Sequence, residues 1–461
     1  MNVPSSNGGL NRRQVLRSLV GGSLLWPGLL SELLAAENAP DTPADPLAPR
    51  PAHLSPRAKR VIFLYMSGGV SHVDSFDPKP RLLADHGRKG PAGLFKRPNW
   101  AFRPHGQSGT EVSDLFPHLA ERADDLCVIR SMRGDHGNHF EATLGIHTGS
   151  VTLPRPSLGS WVSYGLGTVN QNMPSFVVLA PALPYAGAQA WSADFLPACH
   201  QGTRVMPGDE PIPNIRPRLQ PPGLQELELK LVQSLNRKHL QEREADPVLA
   251  GRIRTFETAF GMQMEAPEIF DLTRESDSTL EAYGLVRGST FGFGWQCLVA
   301  RRMVERGVRF VELIDSGSSR NWDSHADMAD HGALAGNVDR PIAALLADLK
   351  SRGLIDDTLV VWTTEFGRTP CVEKIENKGR EHHAQAFSSW LAGGGVRAGI
   401  AYGRTDEHGI NVVENEVHVH DFHATILHLL GLDHEKLTYR HAGRDFRLTD
   451  IAGRVVNGVL A

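Results

Sequence analysis

Five short apolar runs recur along the chain, at positions 61–66, 126–130, 176–180, 308–314 and 358–362. Each is short, continuous and followed by glycine or polar residues, as in strands buried on both faces. Helical spacing lies between them. Ile342, Leu345, Leu346 and Leu349 fall at i, i+3, i+4, i+7, and Gly353 marks the stop. Asp421 is placed to cap a helix carrying Ile426, Leu427, Leu429 and Leu430 before Gly431. Positions 289–306 form another helical segment, and Gly307 leads directly into the run at 308–314. Strands alternating with helices predict an α/β fold with a mostly parallel central sheet. Ligands then belong at the carboxyl ends of the strands.

The middle of the chain departs from this alternation. Positions 181–222 are proline-rich and read as a long surface excursion. Positions 223–244 follow as an amphipathic helix with Leu224, Leu227, Leu231 and Leu235 on one face. The stretch from about 205 to 290 therefore reads as a largely helical insertion on the core. No repeat of fixed period is visible.

The first 36 residues read as an address. Arg12 and Arg13 precede Val15, Leu16 and Arg17, and a mildly apolar run at 18–36 follows, broken by Gly21, Gly22, Pro27 and Glu32. That run is too polar for a stable membrane span and matches a twin-arginine export signal. Leu34-Ala35-Ala36 lacks a small residue three places before a cut, which leaves cleavage and a retained anchor both open. Positions 37–58, rich in Pro, Ala and Asp, read as a flexible linker, and the folded domain is expected over 59–461. The expected destination is the periplasm or cell surface, reached through the twin-arginine machinery.

Composition narrows the chemistry. The net charge is −4 over 461 residues, which gives no basic surface for nucleic acid. Four widely spaced cysteines against 21 histidines exclude a disulfide scaffold, a cysteine zinc site and an iron–sulfur protein. Buried free thiols are the expected state of the cysteines.

Histidines and carboxylates gather where strands should end. The first strand leads into Ser71-His72-Val73-Asp74 and the second into Asp135-His136-Gly137-Asn138-His139. The strand at 308–314 leads to Asp323-Ser324-His325, and the strand at 358–362 to Glu365-Phe366-Gly367-Arg368. Arg380-Glu381-His382-His383 forms a fifth cluster. A parallel sheet brings such loops to one edge, and imidazole with carboxylate suits a divalent metal: zinc, manganese or calcium are not distinguished. Arg133 and Arg368 are placed to hold an anionic group. Each cluster also has a plain reading. His72 to Asp74 is equally a turn held by side-chain bonds, and Glu365 equally an ion-pair partner for Arg368. Only one of the adjacent His382 and His383 can point inward, and His418, His420 and His423 are expected to be structural.

These motifs carry a resemblance. The segments from Gly68-Gly69-Val70-Ser71-His72 to Asp77-Pro78-Lys79-Pro80, Trp322-Asp323-Ser324-His325, Glu365 to Pro370, Gly379 to His382, Ala392-Gly393-Gly394-Gly395 and Tyr402 to Asp406 are similar to those of domain-of-unknown-function family 1501. The stretch from Leu437 to Phe446 is similar as well. That family is common in planctomycete bacteria and usually carries twin-arginine signals. It is placed in the alkaline phosphatase superfamily, beside sulfatases and phosphate mutases. The resemblance implies a three-layer α/β/α sandwich of alkaline-phosphatase type, with metal at the strand ends. It further implies an exported, metal-dependent hydrolase of phosphate or sulfate esters, acting on an anionic small molecule or a polysaccharide ester. The alternative is a binding or assembly protein that keeps the fold without turnover. By the same resemblance Asp323, His325 and His382 would hold the metal, with His72 or Asp74 replacing a missing aspartate. Thr148-Gly149 would place the nucleophile near His139, Glu365 would act as general base, and Arg368 would orient the ester. No Cys-x-Pro-x-Arg motif is present, so a formylglycine nucleophile is not expected.

Overall fold

A computed structural model of the chain describes residues 45–215, 224–242 and 246–461. The expected signal and the first part of the linker lie outside the described residues. Two compact units are distinguished. Residues 217–250 belong to the smaller one, whose described part is chiefly a helix, Leu224–Gln241. The remainder concerns the larger unit, residues 46–216 and 251–461.

Nine strands form its central sheet: β1 Arg60–Tyr65, β2 Leu126–Arg133, β3 Phe176–Leu179, β4 Thr203–Val205, β5 Phe310–Ile314, β6 Thr358–Thr363, β7 Phe387–Ala392, β8 Ile400–Tyr402 and β9 Val417–His418. Their order is β8-β2-β7-β6-β1-β5-β3-β4, with β9 also paired to β2. Only β7 runs antiparallel to its neighbours. All five strands predicted from apolar runs are present.

Alternation along the strands builds two cores. Ile62, Leu64, Val311, Leu313, Val360 and Trp362 face one side. They pack against the helices α1 Phe293–Glu305 and α2 Asp330–Ser351. Val61, Phe63, Phe310, Leu359 and Val361 face the other, against helices Leu158–Leu166 and Val419–Leu429. Ile342, Leu345, Leu346 and Leu349 of α2 are all buried, as their spacing predicts. Each such side chain contributes roughly 1.5–3 kcal/mol through burial. The result is the expected three-layer α/β/α sandwich.

Three details differ from the sequence reading. α2 begins at Asp330, about three turns before its apolar stripe. The helix Val419–Leu429 is capped by His418, whose ring accepts from the His420 N–H, while Asp421 accepts from the His418 N–H. Asp421 is thus the reciprocal partner of a capping box, not the cap itself. Residues 46–58, expected as linker, lie on the core: Leu47 and Ala58 are buried, and the Arg50 N–H donates to Leu166 O. Cys127, Cys297 and Cys371 are buried free thiols. Among the described residues no helix is long and apolar enough to cross a membrane.

Candidate metal centre

In-register pairing sets the ends of three strands side by side. Tyr65 of β1 lies opposite Ile314 of β5 and Thr363 of β6. The segments that follow, 66–69, 315–325 and 364–368, therefore leave the sheet together. Gly68 lets them touch: at its φ of +117° a Cβ would fall 2.7 Å from the backbone nitrogens of Trp322 and Asp323. Only glycine fits so close an approach. Asp315, at the end of β5, fixes the next loop by accepting from the Ser67 N–H at 3.2 Å and from Trp322 Nε1 at 2.5 Å. The loop after β2 adds the last piece, a helix that starts at His139, His139–Thr148.

These loops bring His139, Asp323, His325 and His382 together, with one donor atom of each within 4.8 Å of the others. Asp323 Oδ1 lies 3.2 Å from His139 Nε2, 2.9 Å from His325 Nε2 and 3.2 Å from His382 Nε2. His325 Nε2 and His382 Nε2 are 2.9 Å apart. The far side of each ring is bonded to oxygen. His139 Nδ1 donates to Glu365 Oε1 at 2.8 Å, His325 Nδ1 to Glu381 Oε2 at 2.9 Å, and His382 Nδ1 to Gly137 O at 2.7 Å. A neutral ring whose Nδ1 carries the proton has its lone pair on Nε2. Three lone pairs and one carboxylate oxygen then converge on one point.

That donor set fits a divalent cation. Tetrahedral zinc with ligand bonds of about 2.0–2.1 Å spaces its ligand atoms at roughly 3.3 Å, close to the separations here. Imidazole rings oriented by carboxylate or carbonyl oxygens are the usual support for such ligands. A second group, Asp135, His418 and His420, also lies within ligand spacing. It fails the same test. His418 Nδ1 accepts from the His420 N–H as the helix cap, so its proton sits on Nε2 and is donated to Asp135 Oδ1 at 2.9 Å. That group is a capping network.

Burial raises the Asp323 pKa, but the contacts of the His139 and His382 rings and of the Arg368 guanidinium outweigh it and hold the carboxyl well below the usual range. Burial lowers that of His139, and the bonds and charges of Asp323 and Glu365 outweigh it, so the net shift is upward. Asp323 is therefore charged, and a cation at the site competes with a proton on His139.

Six residues singled out in the sequence take other places. Glu365 Oε1 accepts from His139 Nδ1 and, at 2.8 Å, from the Gly68 N–H. Its Oε2 accepts from the Tyr65 hydroxyl at 3.0 Å and the Thr364 hydroxyl at 3.1 Å. With its lone pairs so engaged, Glu365 orients His139 rather than waiting as a base. Arg368 is fully buried. It donates to Gly69 O at 2.9 Å, Arg380 O at 3.1 Å and Asp323 Oδ1 at 2.6 Å, and also to Gly68 O. It holds the loops and has no free face for an ester; Arg133 is paired with Glu416. His72 and Asp74 stand apart from the cluster. His72 Nε2 donates to Gly409 O at 2.8 Å, and Asp74 accepts from Ser71, the Asn99 N–H and Arg380. These two belong to the turn reading. His383 turns away from His382 and donates to Ile410 O.

Two contacts were invisible in the sequence. The Tyr185 ring stacks on His139, centroids 4.0 Å apart, and its hydroxyl donates to Asp323 Oδ2 at 3.4 Å. Tyr185 lies in the proline-rich excursion, where no pattern marks it. Glu381 adjoins His382 in a noted motif, but only the fold shows that it serves His325.

Fold and site together define an α/β/α protein with a three-histidine, one-aspartate cluster at its strand ends. The chain belongs to the family described as "Protein of unknown function (DUF1501)", whose profile matches residues 58–460. A search of curated proteins finds no significant match. Similar solved structures include the lipoteichoic acid synthase LtaP from Listeria monocytogenes, at 9% identity and TM-score 0.38, covering 91% of this chain and 80% of that one. The PsFucS1 sulfatase from Pseudoalteromonas sp. is 13% identical with TM-score 0.36, covering 89% and 72%. The phosphonate monoester hydrolase SpPMH from Silicibacter pomeroyi is 12% identical with TM-score 0.33, covering 81% and 73%.

Proposed function

We propose that this protein is an exported, metal-dependent hydrolase of phosphate or sulfate esters. One observation carries the reading: three oriented imidazoles and Asp323 aim their donor atoms at one point. His139, Asp323, His325 and His382 would hold the metal. When bound, it supplies Lewis-acid polarisation of a phosphoryl or sulfuryl oxygen. Glu365, Glu381 and Gly137 O keep the rings in the ligand tautomer. Arg368 fixes Asp323, and Tyr185 covers the His139 ring. His139 is assigned as a ligand and not as the nucleophile, because its Nε2 is the atom facing the cluster. Among the described residues, no serine, threonine or cysteine side chain hydrogen-bonds to the four ligand side chains, which favours water as the attacking group.

The alternative, a binding or assembly protein that keeps the fold without turnover, is favoured by the engagement of Arg368, whose donors are taken up by Gly69 O, Arg380 O and Asp323. A panel of 4-nitrophenyl phosphate, phosphonate and sulfate esters separates the two. Hydrolysis by the wild type that falls at least a hundredfold in His382→Ala supports the hydrolase. No turnover of any ester, or equal turnover in the variant, favours the alternative.

A further inference from the structure

A cavity apart from the metal centre is walled by segments continuous with those that carry the centre. A pocket of about 850 Å³ opens among the segments 78–83, 97–102 and the start of α2. It shares two supports with the centre. Its Ala329 and Gly332 wall continues the loop that carries Asp323 and His325. Its Arg97 wall is tied to Arg380, whose Nη2 donates to Arg97 O at 2.9 Å, two residues before His382.

The lining is amphipathic. Trp100, Phe102 and Leu83 present apolar surface, while Arg97, Asn99 and Glu111 present planar polar groups. Among the described residues, no hydrogen bond or ion pair engages the side chains of those three polar residues. Trp100 is also the exception among the tryptophans. Trp161, Trp191, Trp295, Trp322, Trp362 and Trp390 are buried, and Trp26 lies outside the described residues. Trp100 packs against the core and against Gly332, and its partly exposed surface lines the pocket. A large half-exposed aromatic with idle polar groups around it marks a ligand surface more than a core.

The chemistry of the lining selects the occupant. The ammonium of Lys79 is neutralised by Asp77 at 2.8 Å. One guanidinium and one carboxylate remain, so the pocket favours no net charge. Arg97, Asn99 and Glu111 can each form two hydrogen bonds in one plane, which matches neighbouring hydroxyls. Trp100 and Phe102 offer faces to apolar C–H surface. A peptide strand would need N–H partners along the rim, and Pro78, Pro80 and Pro98 supply none. We propose that this pocket binds an uncharged stretch of an oligosaccharide chain, stacked on Trp100.

Trp100 is itself the reporter. The purified full-length protein is titrated with cellohexaose, xylohexaose and mannohexaose, and with decaproline as the peptide alternative. Tryptophan emission and calorimetry are read in parallel. A saturable response to at least one hexasaccharide is expected. Trp100→Ala should weaken that binding about tenfold or more, and Trp100→Phe much less. Asn99→Ala, at an exposed position, and Glu111→Gln, at a partly exposed one, should weaken it as well. No saturable response to any of the three saccharides overturns the proposal. So does a response to decaproline alone, or unchanged affinity in Trp100→Ala.

Discussion

A histidine can ligate a metal or hold a backbone according to which ring nitrogen is already taken. His382 gives Nδ1 to Gly137 O and frees Nε2 for the cluster. His418 uses Nδ1 as a helix cap and loses Nε2 to Asp135. Nothing in the sequence separates these cases, because tautomer depends on partners distant along the chain. Asp323, His325 and His139 were legible as candidates from their place after strands, though His139 as a nucleophile and not a ligand; His382 was legible through the family resemblance. Glu365 and Arg368 were legible as site residues, yet their partners were not: a carboxylate after a strand reads alike as ligand, base or anchor, and the two serve His139 and Asp323 rather than each other. The distinction is measurable. Glu365→Gln should leave the chain folded but weaken metal binding about 10–100-fold, read by competition with a chromogenic chelator. Unchanged affinity would remove Glu365 from the support of His139.

Among the elements, the buried strands were legible because continuous apolar runs need burial on both faces. β7 was missed: Ser388 and Ser389 interrupt its apolar pattern, and their burial makes sense only in the sheet, where Ser389 Oγ and Thr363 Oγ1 share a hydrogen bond of 2.8 Å. The elements also carry buried neutral histidines. Burial pushes His331 of α2 down to about 3, with Arg368 and Arg380 acting in the same direction and Asp74 against it. The Ser71 N–H donates to His331 Nε2 and its Nδ1 donates to Ser324 Oγ, so the neutral ring is the one the fold accepts. Burial, together with His383, also pushes His72 down to about 3. The unfolded chain takes up protons on both rings below about pH 6.5, while the folded chain does not until about pH 3. Their contribution to stability is therefore complete above about pH 6.5 and is lost as pH falls toward 3. The urea midpoint of metal-free protein should drop between pH 7 and pH 4.5, and drop less in His331→Gln. A midpoint that holds steady over that range would contradict the neutral assignment.

On the scale of the whole molecule, the sandwich and the edge that carries the cluster follow from strand direction. Eight strands run one way, so the loops rich in histidine and carboxylate meet without any long-range signal in the sequence beyond their order. The destination of the chain is a separate matter, which the proposal of export assigns to Arg12 and Arg13, outside the described residues. Replacing both by lysine should retain the protein in the cytoplasm of an exporting host. Equal recovery from the periplasmic fraction would argue against the twin-arginine reading. The central claim concerns the four convergent side chains. Elemental analysis of the purified full-length protein tests it most directly. About one divalent ion per chain is expected in the wild type, with near-complete loss when Asp323 and His382 are both changed to alanine. A wild-type protein far below one ion per chain after loading and dialysis, or a double variant that retains its metal, would contradict it.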